Sequence, residues 1–275
     1  GMANQDCLRC HEDPELQMER DGEVVSLHVD AEAMALGAHA NTACAQCHAD
    51  VAPSEVRSCE TISSPVDCSV CHAGQVEQYN MSSHGVMHAE GDTEAPWCLD
   101  CHDNHYTQPK TLPTSPTFAR NVPVLCAQCH RTGEQAAVRI ENDLPIVESY
   151  LDSIHGRGLM QSGLVVTATC TNCHSSHGEL PADDVRSTVH KDNIAETCGT
   201  CHHGIEETFR TSIHAIGEAT EGRTLPTCED CHTSHTISRH DQPGFRTRMM
   251  EECGRCHETE AETFFDTFHG KVSRL

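Results

Sequence analysis

Apolar residues in this chain come in short stretches at helical spacing, separated by polar and proline-containing segments. Ile205, Phe209 and Ile213 lie four residues apart, which is the spacing of one face of an amphipathic helix. The stretch from Thr107 to Pro123 contains four prolines and predicts an irregular loop. No apolar run approaches the roughly 18 residues that a membrane-spanning helix needs. The pattern therefore predicts a mostly irregular chain with short α-helices, little or no β-sheet and no transmembrane segment.

The net charge of the chain limits which classes of partner it can bind. The 275 residues have a formal net charge of −24 at pH 7. Binding to the phosphates of nucleic acid requires a basic surface, so no nucleic acid partner is expected. Basic partners, divalent cations or high-salt surroundings fit the acidity better, and solubility alone also explains it.

The motif Cys-x-x-Cys-His occurs nine times. It is the attachment motif of c-type haem: two thiols on one helical turn bond to one porphyrin edge, and the following (proximal) His faces the iron. The motifs are numbered 1 to 9 in chain order, and their cofactor-binding cysteines are Cys7, Cys10, Cys44, Cys47, Cys68, Cys71, Cys98, Cys101, Cys126, Cys129, Cys170, Cys173, Cys198, Cys201, Cys228, Cys231, Cys253 and Cys256. The proximal histidines are His11, His48, His72, His102, His130, His174, His202, His232 and His257. The sequence thus predicts nine haem c groups.

Zinc sites and disulfides are the rival interpretations of these cysteines. A structural zinc site takes four ligands and needs no His directly after the second Cys. A disulfide framework favours an even cysteine count, whereas this chain has 19, which is nine pairs and Cys59. We interpret Cys59 as a buried or capped residue, with an intersubunit link or an unusual ligand as alternatives.

Haem also accounts for the composition. Hydrophobic residues make up 37% of the chain, and one Trp, three Tyr and six Phe are its aromatic residues. This is thin for a conventional core, so the porphyrins are expected to form most of the buried apolar volume. We predict a single haem-cored unit over residues 1–275 that does not fold without haem, since cofactor binding and folding are coupled.

An internal repeat groups the motifs in twos. Motifs 4, 6 and 8 continue as Cys-x-x-Cys-His-x-x-His and add the post-motif histidines His105, His177 and His235. Motifs 3, 5, 7 and 9 are followed by aromatic-x-x-[Ser/Thr]-x-His, which adds the signature histidines His84, His155, His214 and His269. The repeat predicts an N-terminal one-haem segment, residues 1–38, and two-haem modules at residues 39–90, 91–160, 161–220 and 221–275. The first module is degenerate, because Val51 stands where its post-motif histidine is expected.

Histidines are numerous enough to saturate the irons. Nine irons with His on both sides need 18 histidines, and the chain has 22. Besides the post-motif and signature histidines, we assign His39, in a weak copy of the signature, and His28, between motifs 1 and 2, as distal ligands. An ordinary surface histidine is the alternative for each. Four histidines are left over and are predicted to be solvent or loop residues: His88, His190, His203 and His240.

The reach of the backbone separates each post-motif histidine from its own motif. Two histidines on opposite faces of one haem have Cα atoms about 13 Å apart, given metal–nitrogen bonds near 2 Å. Three residues span at most about 10 Å. His105 therefore cannot complete the iron held by His102, and it must ligate another haem. The same holds for His177 and His235.

The whole chain resembles the multihaem c-type cytochromes of the bis-histidine class from metal- and sulfur-respiring bacteria and archaea. The Cys-x-x-Cys-His-x-x-His and Ser-x-His-Gly elements carry this resemblance. It implies export and periplasmic or extracellular electron transfer, with redox partner proteins or extracellular acceptors as partners. Some members of this class polymerise into extracellular filaments.

Saturated irons predict an electron conduit rather than an enzyme, with no catalytic residues. The potentials are expected to be low, because no motif has the Met ligand that raises them in ordinary cytochromes c. Long-range extracellular electron transfer, with self-association into filaments, is the favoured function. A soluble periplasmic shuttle or a respiratory-complex subunit is the alternative, and a multihaem reductase with one open iron near the degenerate first module is a third.

Overall fold

The computed structural model of the protein describes residues 3–20, 22–49, 51, 66–139, 145–217 and 224–273. Cys59 lies outside these residues. The chain divides into two compact units, Gly1–Asn121 and Val122–Leu275. The boundary between them falls inside the predicted module of residues 91–160.

The first unit contains short helices and one hairpin. Its helices are α1 Asn4–His11, α2 Ala31–Ala35, α3 Cys44–Cys47, α4 Ser69–Met81, α5 Ser83–Ala89 and α6 Cys98–Cys101. Strands β1 Gln17–Arg20 and β2 Glu23–Ser26 pair antiparallel. In their register Gln17 lies opposite Ser26, and Arg20 lies opposite Glu23.

All of the regular secondary structure in the described residues of the second unit is helical. Its helices are α7 Val122–His130, α8 Gln135–Arg139, α9 Ile146–Asp152, α10 Ile154–Met160, α11 Cys170–His174, α12 Ile194–Arg210, α13 Ile213–Ile216, α14 Cys228–His232, α15 Phe245–Gly254, α16 Glu258–Asp266 and α17 Phe268–Ser273. About half of the chain is helical, and the sheet has two strands. The predicted fold class, short helices in an irregular chain with little β-sheet, is confirmed.

The motifs occupy two kinds of helix. Motifs 2, 4, 6 and 8 begin α3, α6, α11 and α14, each of four or five residues. The side chain before the second Cys accepts a hydrogen bond of 2.6–2.8 Å from the backbone N–H before the first Cys, and these accepting residues are Gln46, Asp100, Asn172 and Asp230. Motifs 3 and 7 instead lie in the longer helices α4 and α12, which kink at His72 and His202. Both arrangements place the two thiols of a motif on one helical turn.

The predicted loop before motif 5 is a series of turns up to Asn121, and α7 begins at the next residue. The Asn121 side-chain amide donates to the carbonyls of Pro113 and Ser115, at 2.9 and 2.8 Å. Asn193 makes the same pair of hydrogen bonds before motif 7. An asparagine therefore closes both loops, which keeps the backbone polar groups of these irregular segments paired.

Few apolar side chains are buried against protein. Among the described residues the buried apolar side chains are those of Ala95, Val122, Pro123, Ala127, Val147, Leu159 and Ile194. Ile205 and Ile213, from the predicted amphipathic face, are 68% and 72% exposed. The polypeptide thus leaves its apolar faces open for a further apolar group to cover. None of the described helices combines the length and the apolar character that crossing a membrane requires.

Candidate haem-binding centres

Histidine rings come in pairs with closely similar spacing. Five pairs have ring centroids 6.0 to 6.3 Å apart, and each pair joins one proximal to one predicted distal histidine. The pairs are His39–His72, His48–His105, His155–His202, His174–His235 and His214–His257. In the described part of the chain, no group of three or more His, Cys, Asp or Glu side chains is placed to hold a metal ion.

This spacing fits an iron between the two rings. With a metal–nitrogen bond near 2 Å and a ring nitrogen about 1.1 Å from the ring centroid, two imidazoles on opposite sides of one iron have centroids about 6.2 Å apart. Ordinary ring contacts also fall at this distance, so the distinguishing feature of the five pairs is that each joins a proximal to a predicted distal histidine. The five pairs therefore have room for one axially ligated haem iron each, and the thiols of each motif lie beside its proximal histidine.

The pairs connect different parts of the chain in two series. Signature histidines pair with the proximal histidine of the next odd-numbered motif: His155, after motif 5, lies 6.2 Å from His202 of motif 7. His214, after motif 7, lies 6.3 Å from His257 of motif 9. His39, after motif 1, lies 6.1 Å from His72 of motif 3 in the same sense.

The post-motif histidines His105 and His235 each pair with the proximal histidine of the preceding even-numbered motif, so this series points in the opposite direction along the chain. His105 lies 6.0 Å from His48 of motif 2. His235 lies 6.1 Å from His174 of motif 6. Neither pairs with the proximal histidine of its own motif, as the three-residue reach requires. Four other candidate ligands also have interactions in the structure. They are the signature histidine His84, the post-motif histidine His177 and the proximal histidines His102 and His130.

A tight corner presents the signature histidines. Ser153 ends α9 and caps α10, and its hydroxyl accepts a hydrogen bond of 3.1 Å from the Gly156 N–H. A Cβ atom on Gly156 would lie 2.1 Å from the Tyr150 carbonyl oxygen, so the capped form of the corner requires glycine. Ser82–Gly85 and Thr267–Gly270 repeat the same 3.1 Å hydrogen bond. His155 therefore projects from the first turn of a helix whose start is sterically fixed.

Ala215 replaces glycine in one copy of the corner. Its helix, α13, has four residues, and Ser212 makes no side-chain capping hydrogen bond. The Ser212 hydroxyl is buried without a hydrogen-bond partner in the described structure. The additional methyl group is thus accompanied by loss of the cap, although His214 keeps its pairing.

Tyrosine hydroxyls tie two corners to the following motif, a role that the sequence pattern did not reveal. Tyr150 donates to the Ala168 carbonyl at 2.8 Å, and Tyr79 donates to the Pro96 carbonyl at 2.8 Å. Each acceptor lies two residues before the first Cys of the next even-numbered motif. Recurrence of Tyr at this position of the signature was the available signal, because Phe at the other two copies cannot make this bond.

Burial favours the neutral form of five of the paired imidazoles by lowering their pKa values. Desolvation lowers the pKa of His155, and the neighbouring His202 lowers it further. Desolvation and His235 act in the same way on the pKa of His174. The pKa values of His48, His105 and His235 are also lowered, with burial the largest cause. A neutral imidazole has the free nitrogen lone pair that a metal needs.

Thiol contacts give the order of the motifs in space within each unit. In the first unit, His11 of motif 1 acts electrostatically on His48 of motif 2, and Cys47 lies near Cys68 of motif 3. Cys68 is in turn in hydrogen-bond contact with Cys98 of motif 4. Consecutive motifs 1 to 4 are therefore spatial neighbours.

The second unit continues the pattern from motif 5 to motif 9. Hydrogen-bonded thiol pairs join motif 5 to motif 6 and motif 7 to motif 8, and they are Cys126–Cys170 and Cys198–Cys228. Electrostatic interactions between thiols join motif 6 to motif 7 and motif 8 to motif 9, through Cys173–Cys201 and Cys231–Cys253. Porphyrin edges attached at these thiols would follow one another closely.

His28 does not face His11 across an iron. The His11 ring Nδ1 hydrogen-bonds the Leu27 carbonyl at 2.7 Å, and the Val29 N–H donates to the His11 carbonyl at 2.6 Å. These bonds place the Cα atoms of His28 and His11 within about 8 Å, whereas opposite axial ligands need about 13 Å. His28 keeps a buried Nδ1 without a hydrogen-bond partner in the described structure, and its assignment as a ligand of some haem stays a prediction.

The four left-over histidines have varied surroundings. His88 stacks on Trp97 at 5.1 Å, and His203 lies beside Glu206 and Glu207. His190, predicted to be a solvent or loop residue, lies in a loop but is buried at 8% exposure. Its ring Nδ1 accepts a hydrogen bond from the Asp192 N–H at 3.3 Å, so it has a structural role within its own loop.

Comparison with known proteins covers part of the chain. Residues 27–130, which contain motifs 2 to 5, match the model of the Class III cytochrome C family. No curated protein and no solved structure matches the chain. The family match supports the conclusion that the chain is a multihaem c-type cytochrome, which transfers electrons on covalently bound haem c.

Proposed function

We propose that this chain carries nine haem c groups and conducts electrons along them over long distances outside the cytoplasm, assembled into a filament. Haem iron supplies the one-electron chemistry. The residues of the chain attach the porphyrins, hold imidazoles on both sides of the irons and place consecutive haems close together.

The five imidazole pairs are the observation that carries this proposal. A reductase needs an iron face that a substrate can reach, whereas an imidazole on each side at 6.0–6.3 Å leaves no exchangeable position. The succession of thiol contacts from motif to motif supports conduction, because charge must pass between neighbouring haem edges. The acidity of the chain, −24 before any propionate is counted, favours basic redox partners.

The test is spectroscopy of the haem-loaded, exported protein. Mass spectrometry should show nine covalently attached haems, and electron paramagnetic resonance should show low-spin iron for the five paired centres. A potentiometric titration should give low potentials, as histidine ligation without methionine predicts. Fewer than nine haems, or high-spin iron at most centres, would contradict the proposal.

A soluble shuttle or a respiratory-complex subunit is the second candidate, and the high net charge favours it because charge opposes self-association. Electron microscopy of native material separates the two, since a shuttle gives monodisperse particles and a filament gives fibres.

A reductase with an open iron is the third candidate, favoured by motif 8. The His232 ring faces no other imidazole in the described structure, and the Phe245 ring lies 6.2 Å from it instead. Phenylalanine cannot ligate iron. Turnover of nitrite or hydroxylamine by the reduced holoprotein would support this candidate over conduction alone.

A further inference from the structure

The corner between α4 and α5 has an apolar outer surface where another corner is charged. Met81 ends α4 and Val86 lies in α5, and their exposed fractions are 48% and 44%. In the corner between α9 and α10, which has the same 3.1 Å Ser–Gly hydrogen bond, the corresponding residues are Asp152 and Arg157. Their side chains form an ion pair at 3.6 Å and are 81% and 45% exposed. An apolar pair therefore occupies two positions that face solvent in this counterpart corner.

A porphyrin does not account for the apolar pair. The exposed ion pair at the same two positions indicates that this side of a corner points away from haem, since burying an ion pair against a porphyrin carries a desolvation cost. The corner between α16 and α17 has Asp266 and Lys271 at the two positions, again of opposite charge. We call Met81 and Val86 the corner patch.

Two carboxylates flank the corner patch. Glu77 lies one helical turn before Met81 in α4. Glu90 caps the end of α5, one turn after Val86. Residues four apart share a helix face, so each carboxylate lies beside one of the apolar side chains. Both carboxylates are exposed, and neither forms an ion pair with a described residue.

The chain around the corner patch is acidic throughout. Residues 66–109 contain no Lys or Arg, and their seven acidic residues are Asp67, Glu77, Glu90, Asp92, Glu94, Asp100 and Asp103. In the counterpart corner Glu148 takes the place of Glu77, and its carboxylate lies 3.8 Å from the Arg131 guanidinium. The corner patch thus combines an exposed apolar pair with carboxylates that no neighbouring cation of the sequence neutralises.

Charge decides what can cover the corner patch. A second copy of this chain would bring the same acidic stretch and a net charge of −24 against it, and like charges across an interface oppose association. Nucleic acid and anionic lipid are repelled for the same reason. A protein whose Lys and Arg residues surround an apolar centre matches both parts of the surface, because interfaces combine an apolar core with a polar rim.

We propose that the corner patch docks a basic redox protein, and that Glu77 and Glu90 form the rim of the contact. This rests on the proposed function and names the surface at which the chain exchanges electrons with a partner. His84 lies in the same corner, so docking brings the partner close to the haem that this histidine is predicted to ligate. One electron is exchanged per encounter, lost by the iron of one protein and gained by the metal centre of the other, and no bond forms or breaks.

Binding of a lysine-rich, single-haem cytochrome c to the holoprotein tests the surface. Titration calorimetry with both proteins oxidised gives the dissociation constant, and stopped-flow mixing of the reduced holoprotein with the oxidised cytochrome gives the electron-transfer rate. Met81→Asp combined with Val86→Arg installs the ion pair of the counterpart corner and leaves the net charge unchanged. The dissociation constant should rise about tenfold, as on loss of an interface hot spot, and its dependence on salt should stay the same.

Charge variants separate the rim from the rest of the acidic surface. Glu77→Gln should weaken binding and reduce the dependence of the association rate on salt, because a rim charge acts mainly through steering. Glu148→Gln removes one charge of the same sign in the counterpart corner and should leave both quantities as in the parent. The cytochrome with its lysines acetylated should lose its binding to the parent.

Three results would overturn the proposal. The first is unchanged binding by the Met81→Asp, Val86→Arg variant, and the second is equally tight binding of the acetylated cytochrome. The third is a parent that is dimeric by light scattering and becomes monomeric in this variant, because a second copy would then cover the corner patch. Haem content and absorption spectra check that each variant is folded, and the milder change Val86→Ser should weaken binding in the same direction.

The proposal and the proposed function fail separately. Open irons at the five paired centres, detected with carbon monoxide, would count against the proposed function and leave the binding measurements valid. Equal binding by the parent and the corner-patch variants, with low-spin iron at the paired centres, would overturn the docking surface alone.

Discussion

Gly156→Ala should release His155 from its iron, although the change adds only one methyl group. An alanine Cβ at this position would lie 2.1 Å from the Tyr150 carbonyl oxygen, and Cβ atoms do not approach other atoms closer than 3.0 Å. The start of α10 must therefore move by about 1 Å, half the length of a metal–nitrogen bond near 2 Å. The Ala215 corner keeps its His214 pairing in a four-residue helix that lacks the Ser212 cap, whereas α10 has seven residues and the Ser153 cap, so in α10 the shift carries the His155 ring away from its iron.

Gly156→Ala should lower the free energy of unfolding, and Gly158→Ala is its matched control. In an open helix, Gly→Ala stabilises by about 1 kcal/mol, whereas overpacking costs about 1–3 kcal/mol. Gly156→Ala should be destabilising on balance, before the lost ligand is counted. Gly158→Ala in the same helix meets only the Thr167 side chain, at 3.6–3.8 Å, which is ordinary contact. It should be neutral or stabilising.

Carbon monoxide binding to the reduced holoprotein measures the released ligand directly. Gly156→Ala should bind one more carbon monoxide per chain than the unaltered protein, and its thermal midpoint should fall. Gly158→Ala should leave the carbon monoxide stoichiometry unchanged and should not lower the thermal midpoint. If Gly156→Ala behaves like Gly158→Ala, then the corner does not position His155 for ligation, and the pairing with His202 has been misinterpreted.

Three more predictions follow from the same contacts. His105→Ala should open one iron to carbon monoxide, and the effect should vanish in a Cys44→Ala, Cys47→Ala background, because His105 lies against His48; an unchanged effect there would mean that His105 serves another haem. Tyr150→Phe should lower the free energy of unfolding of the holoprotein by about 1 kcal/mol, through loss of the 2.8 Å bond to Ala168, while a variant as stable as the parent in thermal melts would show that the bond contributes nothing. Burial lowers the pKa values of His155 and His174 below their ordinary 6.5, so their stabilisation is complete above pH 6.5 and is lost as the pH falls through the lowered values; thermal midpoints that rise on acidification would have the wrong sign.

The sequence predicted the chemistry of the centres better than their connections. Motif spacing gave the cysteines and proximal histidines, because these lie on one helical turn and depend on local geometry alone. The short backbone span between His102 and His105 excluded their pairing across one iron, and the structure places His105 against His48. Which iron a distal histidine approaches depends on how modules pack, and no periodicity along the chain contains that information.

The capping side chains and the burial of His190 were not predicted, for a different reason. The capping side chains Asp100 and Asn172 occupy the same position, before the second Cys, but differ in residue type between motifs, so they did not stand out from the repeat. His190 was predicted to be a solvent or loop residue because it has no place in the ligand count, yet its loop folds inward and buries it. A residue left over from one function can still have a structural one.

Axial bonds, rather than a side-chain core, should dominate the stability of this fold. Each assigned pair joins positions 33 to 61 residues apart, as the differences 72 − 39 and 235 − 174 show. Unlike a disulfide, an axial bond is broken in the unfolded chain, so its own bond free energy must exceed the loop-closure entropy, which is about 4 kcal/mol at such a length. A typical domain has a total stability of only about 5–15 kcal/mol, so a few such links compensate for the small apolar core. The pairs between modules also join the two inner modules, residues 91–160 and 161–220, to a neighbour on each side. Losing one distal histidine should therefore loosen two modules at once, which makes ligand variants more destabilising than their local contacts alone would suggest.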